Sequence, residues 1–317
     1  PEYPSLGRAG RLGVDVFFVL SGMLMSNILF VKKVPLGTFY KRRISRIFPV
    51  FFLFISLTSL TGYFLSLSDE HNNYFYNLLF IRTYYPTNPH IWHTGLPIGH
   101  LWSLNIEEHC YIVLSLFTLI PLFSKRAYIP TLFFGCASIA LHILYVKYPS
   151  IASENYRLKT EVAASHLLLS AGYFLVKNKV EKYVPSWAPI AATLMAFLCY
   201  SEYAPHWSSH WTLSPFLLAF AVNHLDRIPD LCKTALNFAP LRLLGLWSFS
   251  IYLWQQPFFK FGQKYGEAFQ FAGPVLFLVS IAVGAASFYI IENPARRFIN
   301  NNWASSKTSS SPSAETT

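Results

Sequence analysis

Charge is what this chain has least of: Asp, Glu, Lys and Arg make up 13% of its 317 residues, where an ordinary soluble domain carries roughly a quarter. Cysteine is sparse too. There are four, Cys110, Cys136, Cys199 and Cys232, with no CxxC or CxH pairing, so neither a disulfide framework nor a zinc site is expected. The sequence has no G-x-S-x-G, no Walker loop, no dinucleotide fingerprint and no internal repeat, which removes the signatures of serine hydrolases, P-loop NTPases and Rossmann enzymes. His90 and His93 form an HxxH, but no carboxylate or cysteine stands at ligand spacing, and no metal is expected.

Apolar residues fill the place of charge, at 53% of the chain with 18% aromatic and a mean hydropathy of +0.35. That excludes a soluble globular protein and predicts an all-α polytopic transmembrane bundle. Nine apolar runs stand out, at 12 to 31, 47 to 67, 106 to 123, 128 to 146, 161 to 176, 187 to 203, 211 to 223, 243 to 261 and 274 to 291. The seventh is short, since about thirteen helical residues cover only some 20 Å of a hydrocarbon core about 30 Å thick.

The net charge of +10 belongs inside this class, where Lys and Arg mark cytoplasmic loops. It predicts the lipid bilayer as partner and no nucleic acid. Alternate loops carry seventeen Lys and Arg on one side and eight on the other, with Lys32, Lys33, Lys41, Arg42, Arg43 and Arg46 in one inner loop. That loop and the C-terminus are therefore expected in the cytoplasm, and Pro1 outside. The chain starts on Pro without a signal-peptide pattern, so its natural N-terminus is expected upstream, with one more span. Residues 68 to 105 read as a long outer loop, and the Ser/Thr-rich stretch from about Ser305 as disordered.

An ionisable group within a span is costly and is a functional hypothesis by default. Asp15, Glu107, Glu108 and Glu161 qualify, all near outer ends. Asp15 stands one turn after Arg11, and an ion pair between them is an equally good reading. Gly22 and Ser26 form a small-xxx-small pair that suits close helix packing. Glu107 and Glu108 are adjacent, hence about 100° apart on a helix and not in one cavity. Asn105 as N-cap with Glu108 three residues on resembles a capping box. Glu107 has no such role, and with an early helix start it shares a stripe with His100 and Ser103 that suits a base or an acceptor hydroxyl. Trp102 reads as an aromatic-belt anchor. Arg42 and Arg46 share a helical face with Arg43 on its flank, giving planar forks suited to phosphate; spacing alone fits a topology signal touching anionic lipid as well.

Five segments taken together are specific: G-V-D-V-F-F-V-L-S-G (13 to 22), F-Y-K-R-R-I-S-R-I-F-P (39 to 49), G-H-L-W-S-L-N-I-E-E-H-C-Y (99 to 111), S-I-Y-L-W-Q-Q-P (250 to 257) and I-E-N-P-A-R-R (291 to 297). In this order they resemble acyltransferase family 3, integral-membrane O-acyltransferases of surface glycans and small molecules. The resemblance implies ten spans with both ends cytoplasmic, nine of them present here, and a first span bearing an Arg and a catalytic His. It implies a membrane acyltransferase domain over 1–298 and a tail over 299–317. Arg42, Arg43 and Arg46 match the family's RRxxR, implicated in holding acyl-CoA, and Glu107 and His100 match its WSLxxE region. Departures are His109 where Gln is common, Cys110 where Phe is common, and Gln255 where many relatives carry His.

The resulting expectation is an enzyme of a bacterial inner (plasma) membrane that moves an acyl group, most simply acetyl, from cytoplasmic acyl-CoA to a hydroxyl of a surface carbohydrate or lipid-linked sugar. Asp15, His100 and Glu107 are its expected catalytic residues. A transporter is the rival class, which inverted hydropathy repeats or matched Gly/Pro breaks would favour; neither is present. A non-catalytic remnant of an acyltransferase is the second alternative.

Overall fold

The computed structural model describes residues 4–66, 73–85, 95–204, 206, 208–265 and 272–308. Among these there is no strand. The helices are α1 (Pro4–Ser26), α2 (Leu36–Phe64), α3 (Asn73–Leu78), α4 (Trp102–Leu119), α5 (Pro121–Lys125), α6 (Tyr128–Lys147), α7 (Thr160–Ala163), α8 (Ser165–Val176), α9 (Ala188–Cys199), α10 (Ser209–Thr212), α11 (Ser214–Asn223), α12 (Asp230–Leu236), α13 (Ala239–Tyr265), α14 (Ala272–Ser287) and α15 (Asn293–Thr308). Each of the nine apolar runs includes helix, and among the described residues four segments are by themselves long and apolar enough to cross a membrane: Gly10–Val31, Leu36–Phe64, Tyr128–Lys147 and Gly273–Asn301. Large apolar side chains such as Phe52, Leu60, Phe133, Phe277 and Leu278 are exposed, as expected of surfaces that face lipid tails. The protein is an integral membrane protein.

The helices form two compact units. The first comprises Pro1–Val34, Leu79–Ile91 and Leu101–Phe238. Its centre is α8, which packs against α1, α6 and α11. At 12 residues α8 is short, about 18 Å at the helical rise, and Ser165 to Gly172 are all buried, polar residues included. Gly22 lets α1 approach it: a Cβ there would lie 2.1 Å from the Leu167 carbonyl oxygen. Ser26 Oγ donates to the Ala171 carbonyl at 2.9 Å and Ser170 Oγ to the Val19 carbonyl at 2.7 Å. The small-xxx-small pair thus does pack two helices together.

The second unit comprises Pro35–Leu78, Trp92–His100 and Ala239–Thr317. Here α13 and α14 pack as a pair, and α15 lies on α2. Gly284 makes the first contact possible, since a Cβ would stand 2.8 Å from the Ile251 backbone. Between α14 and α15 the chain makes a π turn, Phe288–Glu292.

Two local expectations are corrected. The α4 helix begins at Trp102 after a 3-10 turn, Gly99–Leu101, with Leu101 at the N-cap and no side-chain cap. Asn105 is therefore inside the first turn and there is no capping box. With its amide turned to satisfy both ends, Asn105 donates to the Leu101 carbonyl and accepts from the Arg82 N–H, each at 3.2 Å. The same early start leaves His100 off the helix, so only Ser103 and Glu107 of the expected stripe lie on α4. The helix α15 runs to Thr308. The contact of α15 with α2, including Lys41 Nζ donating to the Asn300 carbonyl at 3.0 Å, gives that helix a surface to hold. His90, His93 and residues 309 to 317 lie outside the described residues.

Candidate active site

Two polar centres built on expected residues lie inside the first unit. In one, the Asp15 carboxylate is fully buried. Arg11 Nε donates to its Oδ2 at 2.9 Å and Tyr200 OH to the same oxygen at 2.7 Å. His166 Nδ1 lies 3.6 Å from Oδ1, Tyr200 OH is 3.4 Å from His166 Nε2, and Ser214 Oγ donates to Tyr200 OH at 3.0 Å. The Arg11 guanidinium lies over two indoles, 4.0 Å from Trp211 and 4.7 Å from Trp102. Stacking desolvates the guanidinium at little loss, because it is weakly hydrated and favours aromatic faces. Trp102 is itself buried beneath it, 6% exposed, and so does not anchor at the membrane interface. The ion pair expected from the i, i+4 spacing exists, and it is one edge of a larger network. An Asp beside an imidazole can orient that ring and steady its protonated form.

In the other centre Glu107, 2% exposed, accepts from Ser21 Oγ at 2.9 Å and from the hydroxyl of Tyr111 one turn on. Both bonds reach Oε1, and the Ser21 bond joins α1 to α4. Glu108 is half-buried, so the adjacent carboxylates do meet different surroundings. Glu161, at the start of α7, accepts from Tyr84 OH at 2.6 Å, and that hydroxyl accepts from the Thr160 N–H at 3.0 Å. Burial, reinforced by Glu161, pushes the Tyr84 phenol up to about 12. Glu161 thus fastens the chain around residue 84 to α7.

The second unit holds the other expected residues. His100 is buried with its ring edge-on to Phe54 and Tyr252, centroids 5.7 and 4.9 Å away, and Tyr252 OH donates to its carbonyl. Burial pushes its imidazole down to about 3 against a raising contact from the Leu253 backbone. It is neutral in the fold and accepts a proton poorly. Along α2 and α15, Thr38, Lys41, Arg42, Arg46, Arg296 and Asn300 line a cavity of about 500 Å³. Arg42 and Arg46 share it because they lie one turn apart. Arg43, on their flank, is not among its lining residues. Four cationic side chains around one cavity suit a multiply charged anion, above all phosphates, which guanidinium forks engage in pairs.

Sequence reasoning misses His166, Tyr200 and Ser214 around Asp15, and Lys41, Arg296 and Asn300 around the arginines. An ionisable residue in an apolar run was signal enough for His166. Among the described residues no group of His, Cys, Asp and Glu is placed to hold a metal.

The acyltransferase family 3 model, described as an acyltransferase domain, matches residues 2–292. The chain belongs to this family. Among its relatives is the O-acetyltransferase OatA of Staphylococcus aureus, 27% identical over 320 residues that take in 91% of this chain and 53% of the relative. The peptidoglycan O-acetyltransferase OatA of Listeria monocytogenes is 27% identical over 342 residues, 93% of this chain and 53% of the relative. The chain therefore spans about half the length of the curated relatives it matches. No solved structure matches it.

Proposed function

We propose that this protein is a membrane O-acetyltransferase that takes acetyl from cytoplasmic acetyl-CoA and esterifies a hydroxyl of peptidoglycan or another surface glycan. The observation that carries the reading is the cation-lined cavity of the second unit, on segments that the charge bias assigns to the cytoplasmic side. The phosphates of CoA suit its four cationic side chains. The names of the relatives support acetyl as the group and a cell-wall glycan as the acceptor. In this reading the nine helical runs are nine spans in the inner (plasma) membrane of a bacterium, with the C-terminus cytoplasmic.

Asp15, with His166 beside it, and Glu107 are the groups available to take the acceptor's proton, which would raise the nucleophilicity of its hydroxyl. His100, being neutral and weakly basic, serves to bind rather than to deprotonate. Arg42 and Arg46 hold the donor, and Arg43 contributes less. Titration of acetyl-CoA into the full-length protein in neutral-lipid nanodiscs tests the donor site. A charge-assisted phosphate contact contributes about 1.5–3 kcal/mol, so Arg42→Ala and Arg46→Ala should each weaken binding by about ten- to a hundredfold. Unchanged affinity in both variants would remove the cavity from the reaction. Glu107→Gln should abolish transfer per unit of inserted protein, and Glu108→Gln should not.

A further inference from the structure

We propose that α8 carries a proton relay through the first unit: His166, Ser170, Tyr173 and Lys177 form a polar stripe that, with Asn223 and His224, leads the acceptor's proton from the Asp15 centre to the face that the charge bias assigns to the cytoplasm. The inference rests on the transfer reading above and adds the route that closes its proton balance.

The four residues stand at i, i+4, i+7 and i+11, which puts them on one helical face, spread over about 16 Å at the helical rise. Side-chain contacts show what that face meets. At the Asp15 end, His166 Nδ1 lies 3.6 Å from Asp15 Oδ1 and its Nε2 lies 3.4 Å from Tyr200 OH. One turn on, Ser170 Oγ accepts from Asn223 Nδ2 at 3.0 Å. Tyr173 OH then pairs with His224 Nε2 at 2.8 Å. At the far end Lys177 Nζ donates to the Asn223 carbonyl at 3.0 Å and lies 3.7 Å from Asp226 Oδ1. Asp226 is 51% exposed, so the stripe ends at water.

His166, Ser170, Asn223 and His224 are buried, and polar groups buried between membrane helices are costly where an apolar residue would pack. Bonds that served only to fasten α8 to α11 would satisfy their own donors and acceptors. These do not: Asn223 Oδ1 and His224 Nδ1 have no hydrogen-bond partner among the described residues, so capacity for a further partner remains along the stripe. Consecutive members stand about one turn apart, roughly 5 to 6 Å along the axis, a gap that one water spans with two hydrogen bonds. Imidazole and hydroxyl groups both accept and donate, so His166, Ser170, Tyr173 and His224 can each pass a proton on. Asn223 and Lys177 position them. The charged groups beside the two histidines are Arg11 and Asp15 at one end and Lys177 and Asp226 at the other, with Glu181 and Arg227 paired just beyond. A passing proton therefore meets a carboxylate at both ends.

The chemistry supplies the need. As the acceptor oxygen bonds to the acetyl carbonyl carbon, the carbon–sulfur bond breaks and its electron pair leaves with sulfur. The hydroxyl gives its proton to the Asp15 and His166 pair, and the CoA thiolate takes one up to become the thiol. In the transfer reading these events lie on opposite faces of the membrane, so each turnover calls for one proton to pass inward.

The test uses the full-length protein in proteoliposomes, with acetyl-CoA and peptidoglycan as substrates, in light and in heavy water. His224→Gln keeps a side chain able to bond Tyr173 but unable to take up a proton, and Tyr173→Phe removes the hydroxyl at nearly constant shape. Each should lower kcat per inserted protein by at least about tenfold while the KM for acetyl-CoA stays within about twofold, and each should raise the solvent deuterium isotope effect on kcat above the parent's. A purely structural tie predicts parental kcat in His224→Gln. Parental kcat in either variant, or a fall in kcat with the parent's isotope effect, would overturn the proposal; where one variant fails to insert, the other decides alone. A parent that transfers no acetyl would overturn the transfer reading and this inference together, whereas a parent that transfers beside unaffected variants defeats this inference alone.

Discussion

The Asp15 centre of the first unit and the arginine cavity of the second handle charge in opposite ways. Around Asp15 an arginine meets its carboxylate at 2.9 Å, a tyrosine completes the same oxygen, and two indoles cover the guanidinium. The charges are balanced and buried. In the cavity, Arg42 and Arg46 are exposed and Arg296 is half-buried. A buried, balanced network fixes geometry and suits an uncharged group such as a hydroxyl. An open, unbalanced one attracts a polyanion. In the function proposed above, the first would serve the acceptor hydroxyl and the second the acyl-CoA donor.

The largest expected effect tests the balanced side. Asp15→Ala leaves Arg11, 13% exposed beside Trp102 and Trp211, without its counter-ion, and breaking a mostly buried pair from one side costs up to about 3–5 kcal/mol. Thermal unfolding of the detergent-solubilised protein should show it, whereas Arg46→Ala should unfold near the parent. Equal unfolding temperatures for Asp15→Ala and the parent would mean that the network carries no structural charge balance.

Next in size is Gly22→Val, which drives a side chain into the Leu167 carbonyl and should cost about 1–3 kcal/mol. It sharpens the contrast by loosening α1 against α8 without altering a charge, so donor binding should persist while stability falls. Smaller still is Tyr84→Phe, which removes a hydroxyl donated to Glu161 at 2.6 Å and should cost about 1 kcal/mol, since the pair is only part-buried.

A further effect, seen only in acid, is a pH dependence from His100 of the second unit. Its folded value, about 3, lies below the ordinary 6.5, so between these values the unfolded chain binds more protons. Stability is then complete above about pH 6.5 and falls as pH drops towards 3. Replacing His100 by Gln should flatten that part of the profile, and an unchanged slope would show that the imidazole is not held neutral by the fold.

What was legible in the sequence was local. The Arg11–Asp15 pair, the Gly22/Ser26 face, and the shared face of Arg42 and Arg46 with Arg43 aside all follow from helical spacing, as does the divergence of Glu107 from Glu108. The all-helical membrane class follows from composition. What was not legible depends on distant segments: Tyr200 reaches Asp15 across 185 positions, and Arg296 joins Arg42 and Arg46 only because α15 packs on α2. No spacing rule connects such residues. The capping box at Asn105 failed for a different reason. The 3-10 turn Gly99–Leu101 feeds the helix four residues early, and a motif read at a fixed register cannot register that shift.

The central claim is that the cavity's arginines hold a CoA thioester whose acetyl group ends on a glycan hydroxyl. Membranes containing the full-length protein, incubated with acetyl-labelled acetyl-CoA and peptidoglycan, test it most directly. The account predicts base-labile ester label on the glycan that disappears in the Arg42→Ala/Arg46→Ala double variant at equal protein abundance. Equal ester label with the double variant and the parent would contradict it.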